Sequence, residues 1–223
     1  MAKLEIACFN LESALIAQEN GADRVELCAE MHLGGITPTV EIIKQTREKI
    51  TIDLYVMIRP RGGNFVYSNA EFQQMKESLL AIKTLKVNGF VFGILNSDNS
   101  ININQNRELV ELAKPLPCTF HRAFDIIPNQ IEALEEIIAC GFQSILTSGD
   151  ASNVKEGINQ LQKLVELASN RISIMPGGGL RASNLNELLQ KTKASFYHSS
   201  AITNVSETAN PIEIKSLKNI LNA

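Results

Sequence analysis

The segment 4–27, LEIACFNLESALIAQENGADRVEL, sets a pattern that the rest of the chain repeats. Two short apolar runs within it, Leu4–Cys8 and Arg24–Leu27, have the length and alternation of β-strands, and a helix-like segment connects them. Each run carries an ionisable residue in its interior, Glu5 in the first and Glu26 in the second. Burying a charge costs several kcal/mol unless it is paired, so these positions predict a site shared between strands.

Strand-like and helix-like segments alternate along the whole chain and predict eight βα units. Helix start signals lie between the strands: Ser68 with Glu71 is typical of a capping box, and Asn129 with Glu132 begins another helix. The predicted strands are Leu4–Cys8, Arg24–Leu27, Asp53–Arg59, Gly89–Leu95, Pro117–His121, Ser144–Thr147, Ser173–Met175 and Ser195–His198.

Two architectures contain such an alternation, because it implies a parallel sheet with right-handed crossovers. A doubly wound open sheet usually has fewer strands and needs a phosphate-binding turn after the first one. Here that turn reads CFNLES (8–13) and has no glycine. A (β/α)8 barrel has eight strands and typically about 250 residues. The chain has 223 residues and no linker, so we favour an α/β fold, a (β/α)8 TIM barrel in a single domain spanning 1–223.

Composition limits the partners of the protein. The formal net charge is −3 and no basic run stands out, so we expect no nucleic acid. No apolar stretch reaches the roughly 20 residues of a membrane span, and MAKLEIACFN (1–10) lacks a signal-peptide core, so we expect a cytoplasmic protein that does not contact membranes. The four cysteines are widely spaced and predict free thiols in a reducing compartment. The sequence is compatible with a homo-oligomer as well as with a monomer.

The barrel assigns each strand residue to one of two faces. Outward residues such as Val25 and Leu27 meet the helices, which turns Arg24 and Glu26 inward. Active sites of such barrels lie at the carboxyl ends of the strands. The predicted interior group comprises Glu5, Arg24, Glu26, Arg59, Arg61, His121, Arg122 and Asp125.

This mixed group of charges predicts a site for an anionic substrate. The arginines would bind carboxylate or phosphate through bidentate hydrogen bonds. We predict His121 as the proton carrier, because its ordinary pKa lies nearest neutrality, with Glu5 or Glu26 as an orienting group or second acid/base. Asp125 completes the catalytic candidates. The alternative is a satisfied salt-bridge network that fills the barrel.

Two loops are further anion-binding candidates. Residues 59–65, RPRGGNF, place two arginines around a proline and resemble a rigid clamp, or else an exposed surface loop. Gly177 and Gly178 follow the seventh strand, and Ser199 and Ser200 follow the eighth. TIM barrels frequently bind phosphate at those two loops, although the glycines could also serve only a tight turn.

The cysteines suggest a metal site. Cys8 and Cys28 end the first two strands, and soft thiolates favour Cu(I). The alternation of side chains along each strand argues against a shared site, because it turns Cys8 outward toward the helices and Cys28 inward toward the barrel interior. Cys118 and Cys140 are expected to pack in the core. No Cys-x-x-Cys or His-Glu-x-x-His element is present, so zinc is not expected.

Seven separated segments together identify a family: ADRVELC (22–28), GGITP (34–38), MIRPRGGNFVYS (57–68), TFHRAFD (119–125), LTSG (146–149), MPGGGL (175–180) and HSSA (198–201). In this order they closely resemble the CutC copper-homeostasis family. That resemblance implies a cytoplasmic TIM barrel, a role in copper tolerance, and Cu(I) bound by Cys8 and Cys28. Met31 and His32 are plausible further copper ligands, and the segment after residue 201 is shorter than in many relatives.

Two functions therefore follow from the sequence. The resemblance implies a Cu(I)-binding copper-homeostasis protein. The interior residues favour an enzyme that acts by acid/base chemistry on a small phosphorylated or carboxylated metabolite, because the arginines and His121 have no task in a two-thiolate copper site. A purely structural module explains neither set of residues.

Overall fold

A computed structural model describes residues 1–223, in which eight strands alternate with eight α-helices. Short 3-10 turns at Met31–Leu33 and Arg122–Ile126 follow two of the strands. The strands are β1 Lys3–Cys8, β2 Arg24–Leu27, β3 Asp53–Met57, β4 Gly89–Phe92, β5 Cys118–Phe120, β6 Ser144–Thr147, β7 Ser173–Pro176 and β8 Phe196–Ser199. The helices are α1 Leu11–Glu19, α2 Val40–Lys49, α3 Asn69–Lys83, α4 Ile103–Ala113, α5 Gln130–Cys140, α6 Ile158–Ala168, α7 Ala182–Thr192 and α8 Pro211–Asn222.

All strand pairs are parallel, in the order β7-β6-β5-β4-β3-β2-β1-β8. The first strand therefore pairs with the last, with Glu5 in register with His198, and β7 lies beside β8 so that the barrel nearly closes. The predicted (β/α)8 TIM barrel is confirmed. None of the helices is long and apolar enough to cross a bilayer.

Strand and helix boundaries follow local sequence, with small differences. The Ser68–Glu71 capping box forms as predicted, and Gly141 ends α5 with a φ of 96°, a conformation that glycine adopts without strain. Three strands end earlier than predicted: β3 at Met57, β4 at Phe92 and β5 at Phe120. The residues that follow them bend into the loops that form the top of the barrel.

The barrel contains two apolar clusters, one outside the sheet and one inside it. The large cluster lies between sheet and helices and contains outward strand residues such as Leu4, Ile6 and Cys8. The small cluster lies within the barrel and contains Cys28, Tyr55, Met57 and Val91. The buried charged residues Glu5, Arg24 and Glu26 occupy the alternate, inward positions of β1 and β2. The outward packing thus leaves the interior free for polar groups.

Candidate functional site

A cavity of about 220 Å³ opens at the carboxyl ends of the strands. We call it the mouth cavity. It receives side chains from loops and strands at opposite ends of the sequence, as expected for the functional end of a TIM barrel. Its lining includes Phe9, Glu26, Cys28, Met57, Arg59, Phe65, His121, Arg122, Gly178, Gly179, Arg181, His198, Ser199 and Ser200.

Four charged residues form a buried network beneath this cavity. Arg24 Nε donates a hydrogen bond to Glu5 Oε2. His198 Nδ1 lies 2.7 Å from the other oxygen of Glu5, and its Nε2 lies 3.8 Å from Glu26 Oε2. The Arg24 guanidinium is stacked between two aromatic rings, 4.1 Å from the centroid of Tyr55 and 4.0 Å from that of Phe196. Each charge in the network thus has an opposite charge beside it.

The network shifts the pKa of each of its acids and bases. Burial alone would raise the pKa of Glu5, but Arg24 and His198 outweigh it and lower that pKa to about 2. Burial raises the pKa of Glu26 to about 7, and the charge of Glu5 adds to this effect against the attraction of His198. Burial would lower the pKa of His198, but the two carboxylates raise it. Near neutral pH, Glu5 is therefore ionised, whereas Glu26 and His198 can each carry a proton.

Arg59 is a buried cation that lacks a carboxylate partner. Its side chain is 5 % exposed and donates to the carbonyl oxygens of Leu33, Gly35 and Gly63 at 2.8–3.0 Å. Its Nε is buried without any hydrogen-bond partner. A buried, uncompensated positive charge attracts an anion strongly. The predicted role of Arg59 in anion binding is compatible with this position.

His121 lies in the same wall of the cavity. Its ring is 4.7 Å from the ring of Phe65, and Gly93 leaves room for it, because a Cβ there would lie 2.8 Å from the imidazole. The Nδ1 atom accepts a hydrogen bond from the backbone N–H of Ala123, and Nε2 is buried with no partner. Burial and the nearby Arg59 lower the pKa of His121 to about 3. The imidazole is therefore neutral at physiological pH, unlike the proton carrier that we predicted.

The loops after β7 and β8 complete the cavity. Gly178 has a φ of 106°, and a Cβ at this position would lie 3.0 Å from Cζ of Arg122, so the glycine lets the backbone approach the guanidinium. Arg181 Nη2 donates to the carbonyl oxygen of Ile202 at 2.8 Å, and Ser199 Oγ donates to that of Leu180 at 2.8 Å. Backbone and guanidinium groups therefore surround this part of the cavity.

The predicted site residues divide into those that line the mouth cavity and those that support it. Glu26, Arg59, His121, Arg122, Gly178, Ser199, Ser200 and Cys28 line it. Glu5, Arg24, Arg61, Asp125, Gly177 and Cys8 lie outside its lining. Two of the second group have clear local roles: Arg61 pairs with Glu71, and Asp125 accepts hydrogen bonds from Arg122 and Ser148. They hold loops in place, and the structure gives them no direct contact with the cavity.

Two ionisable residues of the lining, His198 and Arg181, were absent from the predicted site. His198 ends the run SFYH and has the same placement as the other candidates, so its position at the end of the eighth strand was a usable signal. Arg181 directly follows the glycine-rich turn and leucine at 177–180, where a cation near a phosphate-binding loop is expected. The signal for His198 was therefore its place in the eighth strand, and the signal for Arg181 was the glycine-rich loop before it.

The two cysteines predicted to share Cu(I) lie on different faces of the sheet. Cys8 packs with Leu4 and Ile6 between sheet and helices, whereas Cys28 lies inside the barrel beside Met57. Burial, with the charge of Glu26, raises the pKa of both thiols well above the ordinary value. All four cysteines are free, and no group of three or more His, Cys, Asp or Glu side chains is arranged to hold a metal. As arranged, this pair does not fit a two-thiolate site.

Comparisons with known proteins agree on one family. The sequence model of the CutC family matches residues 2–203. A human protein described as a copper homeostasis protein cutC homolog is 40 % identical over 198 residues, which are 89 % of this chain and 72 % of that protein. A "family protein CutC" of Proteus mirabilis is 43 % identical over 210 residues, which are 94 % of this chain and 83 % of that one.

Solved structures agree with the fold. The putative copper homeostasis protein CutC from Streptococcus agalactiae superposes with a TM-score of 0.86 at 38 % identity, covering 91 % of this chain and 100 % of that chain. Phosphoribosyl anthranilate isomerase from Thermotoga maritima superposes with a TM-score of 0.69 at 17 % identity, covering 100 % of both chains. At that identity, the second likeness shows the barrel fold alone.

Proposed function

The chain belongs to the CutC family of copper-homeostasis proteins, and we propose that its mouth cavity binds a small phosphorylated or carboxylated metabolite and transfers a proton on it. The observation that carries this proposal is one cavity lined by a buried cation, Arg59, and a carboxyl group, Glu26, whose pKa is about 7. A cation without a partner recognises an anion, and a carboxyl group that titrates near neutrality can both take and return a proton.

The cationic groups define what the ligand must offer. Three arginines line the mouth cavity: Arg59 in the loop after β3, and Arg122 and Arg181 near the loops after β7 and β8. Guanidinium groups bind carboxylates and phosphates through paired hydrogen bonds. The volume of about 220 Å³ limits the ligand to a small molecule.

The buried network supplies the acid/base chemistry. Glu5 holds His198 through Nδ1, and the other ring nitrogen of His198 is 3.8 Å from Glu26. A proton on Glu26 or His198 is stabilised in either place by the ionised Glu5 below. The pair can therefore exchange a proton with a bound ligand and recover it from solvent.

A ligand screen tests this proposal. Thermal-shift measurements with small phosphorylated and carboxylated metabolites should identify compounds that stabilise wild-type protein. Arg59→Met should abolish that stabilisation, whereas Arg171→Met, which removes an exposed arginine that pairs with Glu135 of α5 outside the cavity lining, should preserve it. Glu26→Gln should keep binding and lose turnover. A screen without ligands, or equal binding by Arg59→Met, would contradict the proposal.

The relatives are named copper homeostasis proteins, and we propose binding of Cu(I) as a second candidate function for this chain. The Cys28 thiol and the Met57 thioether belong to one interior cluster and both residues line the mouth cavity. These are soft donors of the kind that Cu(I) prefers. Cys8 could join them only if β1 were rearranged, because its side chain packs in the outer core.

Competition with a Cu(I) chelator separates these possibilities. Loss of binding in Cys28→Ser alone would place the ion at the mouth, and loss in both Cys8→Ser and Cys28→Ser would support the predicted thiolate pair. Cys118→Ser is the matched control, because this buried thiol lies at the start of β5 in the outer core. Equal affinity in all variants would reject a cysteine site for copper.

A further inference from the structure

The backbone fixes which nitrogen of His121 carries a proton. The N–H of Ala123 points at Nδ1 from 3.2 Å, and because an amide N–H can only donate, Nδ1 must accept. A neutral imidazole with an accepting Nδ1 carries its proton on Nε2. The residue is 4 % exposed, lines the mouth cavity, and has no protein acceptor for that Nε2–H.

His121 is also held in its neutral form. A second proton would have to bind at Nδ1, where it would face the Ala123 N–H and break that hydrogen bond. The burial of the ring and the positive charge of Arg59 oppose protonation as well, as the lowered pKa of about 3 reflects. A neutral imidazole with its proton on Nε2 is neither an acid nor a base at that atom near neutral pH. It is a hydrogen-bond donor to an oxygen.

Glu26 supplies the complementary group in the same cavity. Its carboxyl group is 3 % exposed, and its Oε1 has no hydrogen-bond donor. A buried carboxylate with one oxygen that accepts no hydrogen bond is less stabilised, and therefore a better base, than a solvated one. His198, 3.8 Å from the other oxygen, is the residue that can exchange protons with it.

We propose that the ligand is a phosphorylated or carboxylated compound whose carbonyl group lies beside a carbon that bears a hydrogen and a hydroxyl group, and that the reaction moves a proton from that carbon to the carbonyl carbon. His121 donates its Nε2–H to the carbonyl oxygen, the free Nε–H of Arg59 supports the charge that develops there, and Glu26 is the base. The inference rests on the proposed function of the mouth cavity and adds the substrate class. Two fixed hydrogen-bond donors, one of them cationic, best stabilise an oxygen on which negative charge develops.

The step balances without any further reactant. Glu26 takes the proton from the carbon next to the carbonyl, the C–H electron pair forms a carbon–carbon double bond, and the carbonyl π electrons move to oxygen. His121 and Arg59 hydrogen-bond the resulting enolate oxygen. The proton of the neighbouring hydroxyl group then passes to the enolate oxygen, and the hydroxyl oxygen becomes the new carbonyl oxygen. Glu26 returns its proton to the former carbonyl carbon. The product is an isomer of the substrate, so nothing is oxidised or reduced overall.

Proton exchange with solvent provides the test. Wild-type protein is incubated in D2O with short-chain phosphorylated hydroxyaldehydes and hydroxyketones, and NMR follows the loss of the C–H signal beside the carbonyl. We expect exchange to fall by about 10²–10⁴-fold in Glu26→Gln and by about 10²–10³-fold in His121→Leu. His121→Gln keeps an N–H donor at the same distance from the backbone and should recover much of the loss. Thermal melts establish that each variant is folded.

The outcomes separate this inference from the proposed function. If carbonyl compounds and the corresponding phosphorylated polyols bind equally and no C–H exchanges, the substrate class is wrong and anion binding stands. If neither group of compounds binds, both proposals fail. Nitrogen-15 NMR of the His121 ring is an independent check: a proton on Nδ1, or a titration between about pH 5 and pH 9, would overturn the inference without any ligand.

Discussion

His198 Nδ1 lies 2.7 Å from Oε1 of Glu5, and this contact joins the last strand of the barrel to the first. The two residues are 193 positions apart in sequence and directly in register on β8 and β1. Glu5 also accepts a hydrogen bond from Arg24 on β2. The same carboxylate therefore orients the imidazole next to Glu26 and ties together three strands where the barrel closes.

Removing the charge of Glu5 should weaken the fold as well as the site. In Glu5→Gln, the buried Arg24 loses its only carboxylate partner, and we expect the free energy of unfolding to fall by about 3–5 kcal/mol. The pKa of Glu5 is lowered from 4.5 to about 2, so its contribution is complete above about pH 4.5 and is lost as the pH falls toward about 2. Urea denaturation of wild type and Glu5→Gln, at pH values between about 2 and 4.5 and above, measures the loss of stability in the variant and the pH dependence of wild type.

A double variant shows whether the unpaired arginine causes the loss. Glu5→Leu with Arg24→Met replaces both charges by apolar side chains of similar size, and it should be more stable than Glu5→Leu alone. Equal stability of the single and double variants would mean that Arg24 finds another partner or solvent. In that case the network would not be held by this ion pair.

Titration of Glu26 should make the fold less stable as the pH rises. Its pKa is raised from 4.5 to about 7, so between these values the folded protein binds a proton that the unfolded chain has lost. The free energy of unfolding therefore falls with pH through this window, by on the order of 3 kcal/mol. The raised pKa of His198 adds a decrease of the same sign above about pH 6.5.

Chemical denaturation at a series of pH values checks this slope. Glu26→Gln cannot titrate at this position, so its curve between about pH 5 and pH 8 should be flatter than that of wild type. Glu108→Gln, the same change at an exposed position of α4, should retain the wild-type slope. A wild-type stability that is constant or rises across the window would show that Glu26 is ionised in the folded protein throughout.

A Cβ at Gly178 should obstruct ligand binding at the loop after β7. Gly178 has a φ of 106°, and an added Cβ would lie 3.0 Å from Cζ of Arg122 and 3.2 Å from Cβ of Ser148. Gly178→Ala should therefore move Arg122 and weaken ligand binding by about tenfold or more, roughly 1.4 kcal/mol. Gly141→Ala carries a similar backbone strain, at a φ of 96°, but lies at the end of α5. Calorimetric titration should show lost affinity in the first variant only.

The fold was predictable because it depends on local patterns repeated eight times. Alternation of apolar residues placed Glu5 and Glu26 inside the barrel, and cap residues such as Ser68 marked the helices between the strands. The alternation of strand faces likewise predicts that Cys8 and Cys28 lie on opposite faces, and the two side chains do lie in different clusters. Each of these conclusions needs only the period of a strand or the geometry of a helix end.

The task of each site residue was not predictable from the sequence. The protonation state of His121 depends on a backbone N–H two residues later and on Arg59, which reaches it only through folding of the loop after β3. The contact between Glu5 and His198 depends on barrel closure. Sequence turned Arg24 into the barrel and placed Asp125 in the loop after β5, but only packing shows that other protein groups already occupy their polar atoms.

Replacing Asp125 should test whether it positions Arg122 or takes part in chemistry. Its carboxylate accepts hydrogen bonds from Arg122 Nε at 2.7 Å and from the N–H of Ser148 at 3.0 Å, and it does not line the mouth cavity. In Asp125→Asn we expect a loss of about 1–3 kcal/mol in unfolding free energy. Because Arg122 is released, we also expect a higher KM with kcat and its pH profile unchanged. Asp98→Asn, in an exposed turn, is the matched control. A lower kcat with a displaced pH profile would instead establish Asp125 as the acid/base residue that its position in the sequence suggested.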